Sequence, residues 1–161
     1  MFRPMRRSKQ LLPIEQCQEI LATQKRAVLS LLGDDDYPYG IPLNYVYDPT
    51  RGELGSFFFH GAMTGHKIDA ITAHDKASLL VMDDGIQAEG SWWYHVNSVI
   101  CFGRACVVED SELINDMLHA LGNKYFPTKE ETESEIASSG HRVKMIEFKV
   151  EHMTGKGVNE K

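Results

Sequence analysis

The sequence predicts a mainly β fold with short helices, in which six or seven mostly antiparallel strands form one small closed barrel. Three observations predict it. Residues 142–152 (RVKMIEFKVEH) alternate between apolar and polar positions, the signature of a half-buried strand. Residues 26–32 and 39–47 are apolar runs joined through Gly33-Asp34-Asp35-Asp36, which is hairpin chemistry. Helical periodicity is confined to a few short segments, too little to build a helical core.

In chain order, Pro13 opens a helix over 13–21, where Ile14, Cys17 and Leu21 share a face that caps a hydrophobic edge. The strand at 26–32 pairs back with 39–47, in which Pro42 removes a ladder donor and marks an edge, a bulge or a ligand-facing break. A turn at 48–52 leads into a strand at 53–60. The next helix, 64–74, has Thr64 as N-cap and Ile68, Ile71 and Thr72 on one side. Residues 77–83 read as a central strand, 85–90 as a loop and 91–108 as a long strand bent at Gly103. A helix over 110–125, capped by Asp110 or Ser111, turns Leu113, Ile114, Met117, Leu118 and Leu121 inward. The acidic run at 129–135 is a solvated face or a loose helix. The tails, 1–10 and 154–161, are expected to be flexible.

A length of 161 residues predicts a single domain spanning 1–161. The net charge of -6 argues against nucleic-acid binding, which needs a clustered basic surface. The basic residues that do cluster, Arg3, Arg6, Arg7 and Lys9, fall in the N-terminal tail. The start lacks the apolar core of a secretion signal, and no apolar run is long enough to cross a bilayer. Cys17, Cys101 and Cys106 show neither a CxxC pair nor zinc spacing and read as buried free thiols. A cytoplasmic protein without a metal site is expected, since the seven histidines form no HExxH or i,i+4 pair either.

The stretch Phe57-Phe58-Phe59-His60-Gly61-Ala62-Met63-Thr64-Gly65-His66-Lys67 carries the chemistry. An aromatic strand stops at His60, turns through small residues and enters a helix behind His66 and Lys67. Gly61 and Gly65 let the backbone approach a ligand, and the first amides of the helix favour an anion. A cation is disfavoured at a helix N-terminus, so Lys67 there calls for an anion as its explanation. The bland readings are a satisfied strand-end histidine and a snorkelling surface lysine. The pattern reads as a phosphate pocket beside a flat ring, which points to flavin mononucleotide (FMN).

The chain resembles the FMN-binding split-barrel proteins related to pyridoxamine 5'-phosphate oxidase, and among them the 5-nitroimidazole-resistance (Nim-like) branch. Three segments carry the resemblance: Tyr37-Pro38-Tyr39-Gly40-Ile41-Pro42-Leu43-Asn44-Tyr45, then Phe59-His60-Gly61-Ala62 through Gly65-His66-Lys67, and Ser98-Val99-Ile100-Cys101-Phe102-Gly103-Arg104-Ala105. It implies a split barrel and a homodimer with FMN at the subunit interface. His66 and Lys67 would grip the phosphate beside Gly61 and Ala62. Pro42, Leu43 and Asn44 would run along the ring, Ser98 would face it, and His60 would sit beside it with a redox or substrate role.

The resemblance implies an oxidoreductase that reduces a small oxidant such as a nitroaromatic with electrons from NAD(P)H. The alternatives are a non-catalytic flavin carrier or sensor and a heme-binding split barrel with His152 as axial ligand. The oxidase proper carries a basic motif on its second strand, whereas Gly40-Ile41-Pro42-Leu43-Asn44 has no arginine or lysine, which argues against pyridoxamine-phosphate oxidation. Trp92, Trp93 and Tyr94 are candidates for interface packing or for covering the flavin from the partner subunit.

Overall fold

The computed structural model describes residues 2–159. Eight strands form a single antiparallel sheet: β1 (Ala27–Leu32), β2 (Pro38–Leu43), β3 (Val46–Asp48), β4 (Ser56–Ala62), β5 (Lys76–Met82), β6 (Ile86–Gln87), β7 (Tyr94–Val107) and β8 (Val143–Asn159). The hydrogen-bonded order is β2-β1-β5-β7-β8-β4-β3, with the two-residue β6 paired to β7. The path leaves β2 and β3 at its two ends, so the barrel is split rather than closed. Helices α1 (Ile14–Thr23), α2 (His66–Ala73), α3 (Ser111–Tyr125) and α4 (Lys129–Ser139) cover it.

Two cores follow from the alternation along β4. Phe57 and Phe59 point into the barrel, where they meet Leu29, Val99 and Phe148, while Phe58 points outward and packs with Met145 and Leu121 under α3. All three phenylalanines are fully buried, because α3 covers the outer face that a strand would ordinarily leave in water.

The expected second strand is broken in two. The amide of the buried Tyr45 donates to the Tyr125 hydroxyl (3.0 Å) instead of joining a ladder, and its own hydroxyl donates to the Leu21 carbonyl (2.8 Å). Tyr125 also lies within donating distance of the Lys25 and Tyr45 carbonyls, at 2.7 and 2.9 Å. A tertiary hydrogen bond thus overrides the local pattern. Pro42 lies in an edge strand, the place in a sheet where a missing donor is tolerated.

Gly103 bends β7 as the sequence predicts. The register with β8 shifts between Phe102 and Gly103, and a side chain at Gly103 would run into the Lys149 carbonyl. The C-terminal segment, expected to be a loose tail after Met153, continues β8 to Asn159 by pairing with residues 95–100 of β7. Gly155 there makes room for the Cys17 thiol of α1. At the other end, Ser8–Gln10 forms a 3-10 turn, Leu11 bridges to Lys156, and Phe2 stacks on His152. Residues 1, 160 and 161 of the expected tails lie outside the described residues. The acidic run forms α4, started by Thr128, whose side chain accepts from the Glu131 amide.

Candidate functional site

At the bend between β4 and α2, burial ends at Phe59, and His60, Ala62, Met63 and Thr64 are all exposed. Thr64 does not cap α2. The cap position is Gly65, at φ 128°, a backbone conformation that side-chain-bearing residues rarely adopt, and its carbonyl accepts from both Ile68 and Asp69. No side chain caps the helix, and with the Ile68 and Asp69 amides turned onto Gly65 the donors left for a ligand are the amides of His66 and Lys67.

The Lys67 side chain folds back over Gly61. A methyl group at Gly61 would stand 2.8 Å from both its Cε and its Nζ, so the absent side chain is what admits the ammonium. Burial lowers the pKa of Lys67 from its ordinary value, and none of the ion pairs among the described residues includes it. Desolvation, the helix dipole and the missing carboxylate all act against this cation, and a bound anion would offset all three. His60 is also shifted down, first by crowding around the ring and then by Lys67, with Glu135 acting in the opposite sense. At pH 7 its imidazole is mainly neutral and offers one N–H and one acceptor nitrogen.

The structure separates the basic pair. His66 stacks on Tyr39 (centroids 4.2 Å apart, planes 12° apart), with Nε2 3.7 Å from an Asp34 carboxylate oxygen in the β1–β2 turn. Asn44 and His60 line a common cavity of about 200 Å³ under α3 and α4. Leu43 packs against the inner core. Pro42 and Ser98 lie on the other side of the sheet: the ladder Pro42-Val28-Leu80-Ile100 runs across four strands, and Ser98 follows on the face of Ile100. Within the single chain the nine residues of the expected site therefore fall into separate groups. His152 is stacked on Phe2 (4.5 Å, 6°), an engaged position for a proposed axial ligand.

Three residues of this region escaped the sequence reading. Glu135 and Ile136 line the cavity from α4. A Thr128-x-x-Glu131 capping pattern in the sequence was the available sign that α4 is a true helix. Lys124 presents its ammonium 4.1 Å from the centre of the Tyr45 ring, with no hydrogen-bond partner for Nζ among the described residues. Nothing in the local sequence marks that contact.

Among the described residues no three His, Cys, Asp or Glu converge to hold a metal, and no helix is long and apolar enough to cross a membrane. No curated protein sequence matches this chain. Solved structures do. A candidate 5-nitroimidazole antibiotic resistance protein from Bacteroides thetaiotaomicron superimposes with a TM-score of 0.73 at 16% identity, over 92% of this chain and 87% of that one. A flavocytochrome from Azotobacter vinelandii gives 0.74 at 18%, over 97% and 72%. A FAD-binding protein from Mesorhizobium loti gives 0.65 at 19%, over 92% and 96%. At these identities the likeness is one of fold. The family model described as pyridoxamine 5'-phosphate oxidase matches residues 13–157, nearly the whole domain, and the chain belongs to that family.

Proposed function

We propose that the protein is a homodimeric FMN-dependent oxidoreductase that passes electrons from NAD(P)H to a small oxidant, of which a nitroaromatic is the leading candidate. One observation carries the cofactor reading: a half-buried ammonium with no carboxylate partner among the described residues lies over a glycine at the uncapped start of α2. This arrangement fits a phosphate ester. Lys67 and the first amides of α2 would hold it, with Gly61 and Ala62 keeping the approach open. Pro42, Leu43 and Asn44 would run along the ring, largely through their backbone, and Ser98 would face it. A bound flavin supplies the electron-transfer chemistry, and the protein supplies orientation and exclusion of water. His60, mainly neutral at pH 7, would hold or deliver a proton next to the ring. The similarity to a nitroimidazole-resistance protein and to flavin proteins supports the same reading.

The dimer reading is supported by the outer face of the sheet. Val28, Met82, Ile100 and Phe102 are 38%, 59%, 41% and 41% exposed there. Contiguous apolar surface of this kind calls for cover. A second copy laid on it would also bring Pro42 and Ser98 toward the groups that one protomer keeps apart. Free thiols at Cys17, Cys101 and Cys106 fit the reducing cytoplasm.

The test is a visible spectrum of the purified protein and titration of the apoprotein with FMN, followed by addition of NADPH or NADH. A yellow protein that bleaches, and is reoxidised by a nitroaromatic faster than free flavin, supports the proposal. A preparation that is colourless and ignores FMN overturns it, and stable binding without turnover reduces it to a flavin carrier.

A further inference from the structure

His60 shares a face of β4 with Phe58, whereas Gly61, under Lys67, faces the other way. The cavity that His60 enters is walled by Leu118, Leu121 and Tyr125 of α3, Ile136 of α4 and Val143 at the start of β8. Its existence follows from the way α4 is mounted. Thr132, the buried residue of α4, packs onto the backbone at Gly122, where no side chain of α3 intervenes. That contact fixes how closely the two helices approach. The rest of α4 is too polar to fill the space beneath it, which stays open at about 200 Å³. An apolar cavity of about 150 Å³ accepts benzene in a well-studied engineered case, so one ring with a short substituent matches this volume.

The polar side chains of the lining are Asn44, His60, Tyr125, Glu135 and Ser139, and the Tyr125 hydroxyl is already engaged at Tyr45 and Lys25. Glu135 is the one charged side chain in the lining, and Lys67 is not part of it. A carboxylate at the edge of an apolar chamber attracts a cation or an N–H donor and repels an anion. We propose that this cavity is a binding site for a small aromatic ring bearing a protonated amine or a ring N–H, with Glu135 as its recognition group. The inference deepens the proposed function, since His60 and Asn44 belong to both, but its test does not need the flavin.

The experiment titrates benzylamine and, as its anion of equal ring size, benzoate into the full-length protein. Amide chemical shifts are followed with and without saturating FMN. Benzylamine is expected to bind saturably and about three- to five-fold tighter than benzoate, the effect of one exposed charge pair. Glu135→Gln is expected to abolish that preference, and Ile136→Trp to abolish binding of both. Should Ile136→Trp fail to fold, Glu135→Gln, which alters only an exposed residue at the cavity edge, decides alone. Absence of saturable benzylamine binding, a preference that survives Glu135→Gln, or displacement of benzylamine by FMN overturns the proposal. Benzylamine binding in a protein that refuses FMN leaves this site standing and removes only the flavin reading.

Discussion

Gly61→Ala isolates the proposed phosphate contact without removing the cation. The new methyl group would lie 2.8 Å from Cε and Nζ of Lys67 and 4.0 Å from Ile146 Cδ1, so the only group it displaces is the far end of a flexible side chain. The strand and its core contacts survive, and the melting temperature should change little. The ammonium cannot return to its place over residue 61. A charge-assisted hydrogen bond contributes about 1.5–3 kcal/mol, and a lysine that re-forms part of it from a new position loses about 1–2 kcal/mol. That loss weakens FMN binding about 5- to 30-fold. The assay is fluorescence titration of the apoprotein with FMN and, in parallel, riboflavin. Only FMN carries the phosphate, so its dissociation constant alone should rise. Lys67→Ala should produce a loss of about 1–3 kcal/mol, and adding Gly61→Ala to it should cost nothing further, since both act through one contact. Equal weakening of FMN and riboflavin, or an unchanged FMN constant, would refute the reasoning, because the phosphate would then lie elsewhere.

Lys124→Met should stabilise the protein at pH 7. Burial, with help from Lys25, lowers the folded pKa of Lys124 to about 8 from 10.5, so the cost of its charge is present below pH 8 and disappears between pH 8 and 10.5. A shift of that size is worth about 3 kcal/mol, which screening and the contact with Tyr45 reduce to about 1–2 kcal/mol. Urea melts from pH 7 to 10 should therefore show a higher midpoint and a flatter pH dependence in the variant; lower stability at pH 7 would mean that the ring contact outweighs desolvation. Tyr125→Phe removes the hydroxyl that accepts from the Tyr45 amide and should cost about 1–3 kcal/mol in a urea melt, and no loss would show that water replaces it. Gly103→Ala should destabilise by about 3 kcal/mol or more, because the added methyl meets the Lys149 carbonyl, a rigid backbone atom. His60→Ala should reduce turnover more than FMN affinity; equal losses would make His60 a contact residue only.

The fold was legible wherever one residue's neighbours along the chain decide its state. The hairpin of β1 and β2, the bend at Gly103 and the apolar stripe of α3 all depend on local alternation, and each is present. The break at Tyr45 was not legible, since its cause is a hydroxyl 80 residues away. The continuation of β8 past Met153 was hidden by Gly155 and Gly157, which read as a flexible tail but admit α1 and Leu12 against the strand.

Half of the site is readable from local chemistry in the same way, and half is not. That a cation belongs at the start of α2 follows from the sequence, because a lysine beside uncapped amides has an electrostatic explanation only if an anion joins it. That two cations converge there does not follow. Successive helical residues point about 100° apart, so adjacent side chains leave a helix in different directions. Lys67 turns toward Gly61 and His66 toward Tyr39. One protomer thus offers a single ammonium and a few amides to a phosphate that carries nearly two charges. If FMN binds as proposed, the remaining compensation has to come from a movement of His66 off Tyr39 or from a second copy of the chain. Tyr39→Ala distinguishes them: if His66 is the missing partner, freeing it should strengthen FMN binding, and if the partner subunit supplies the charge, affinity should instead rise with protein concentration as dimers form.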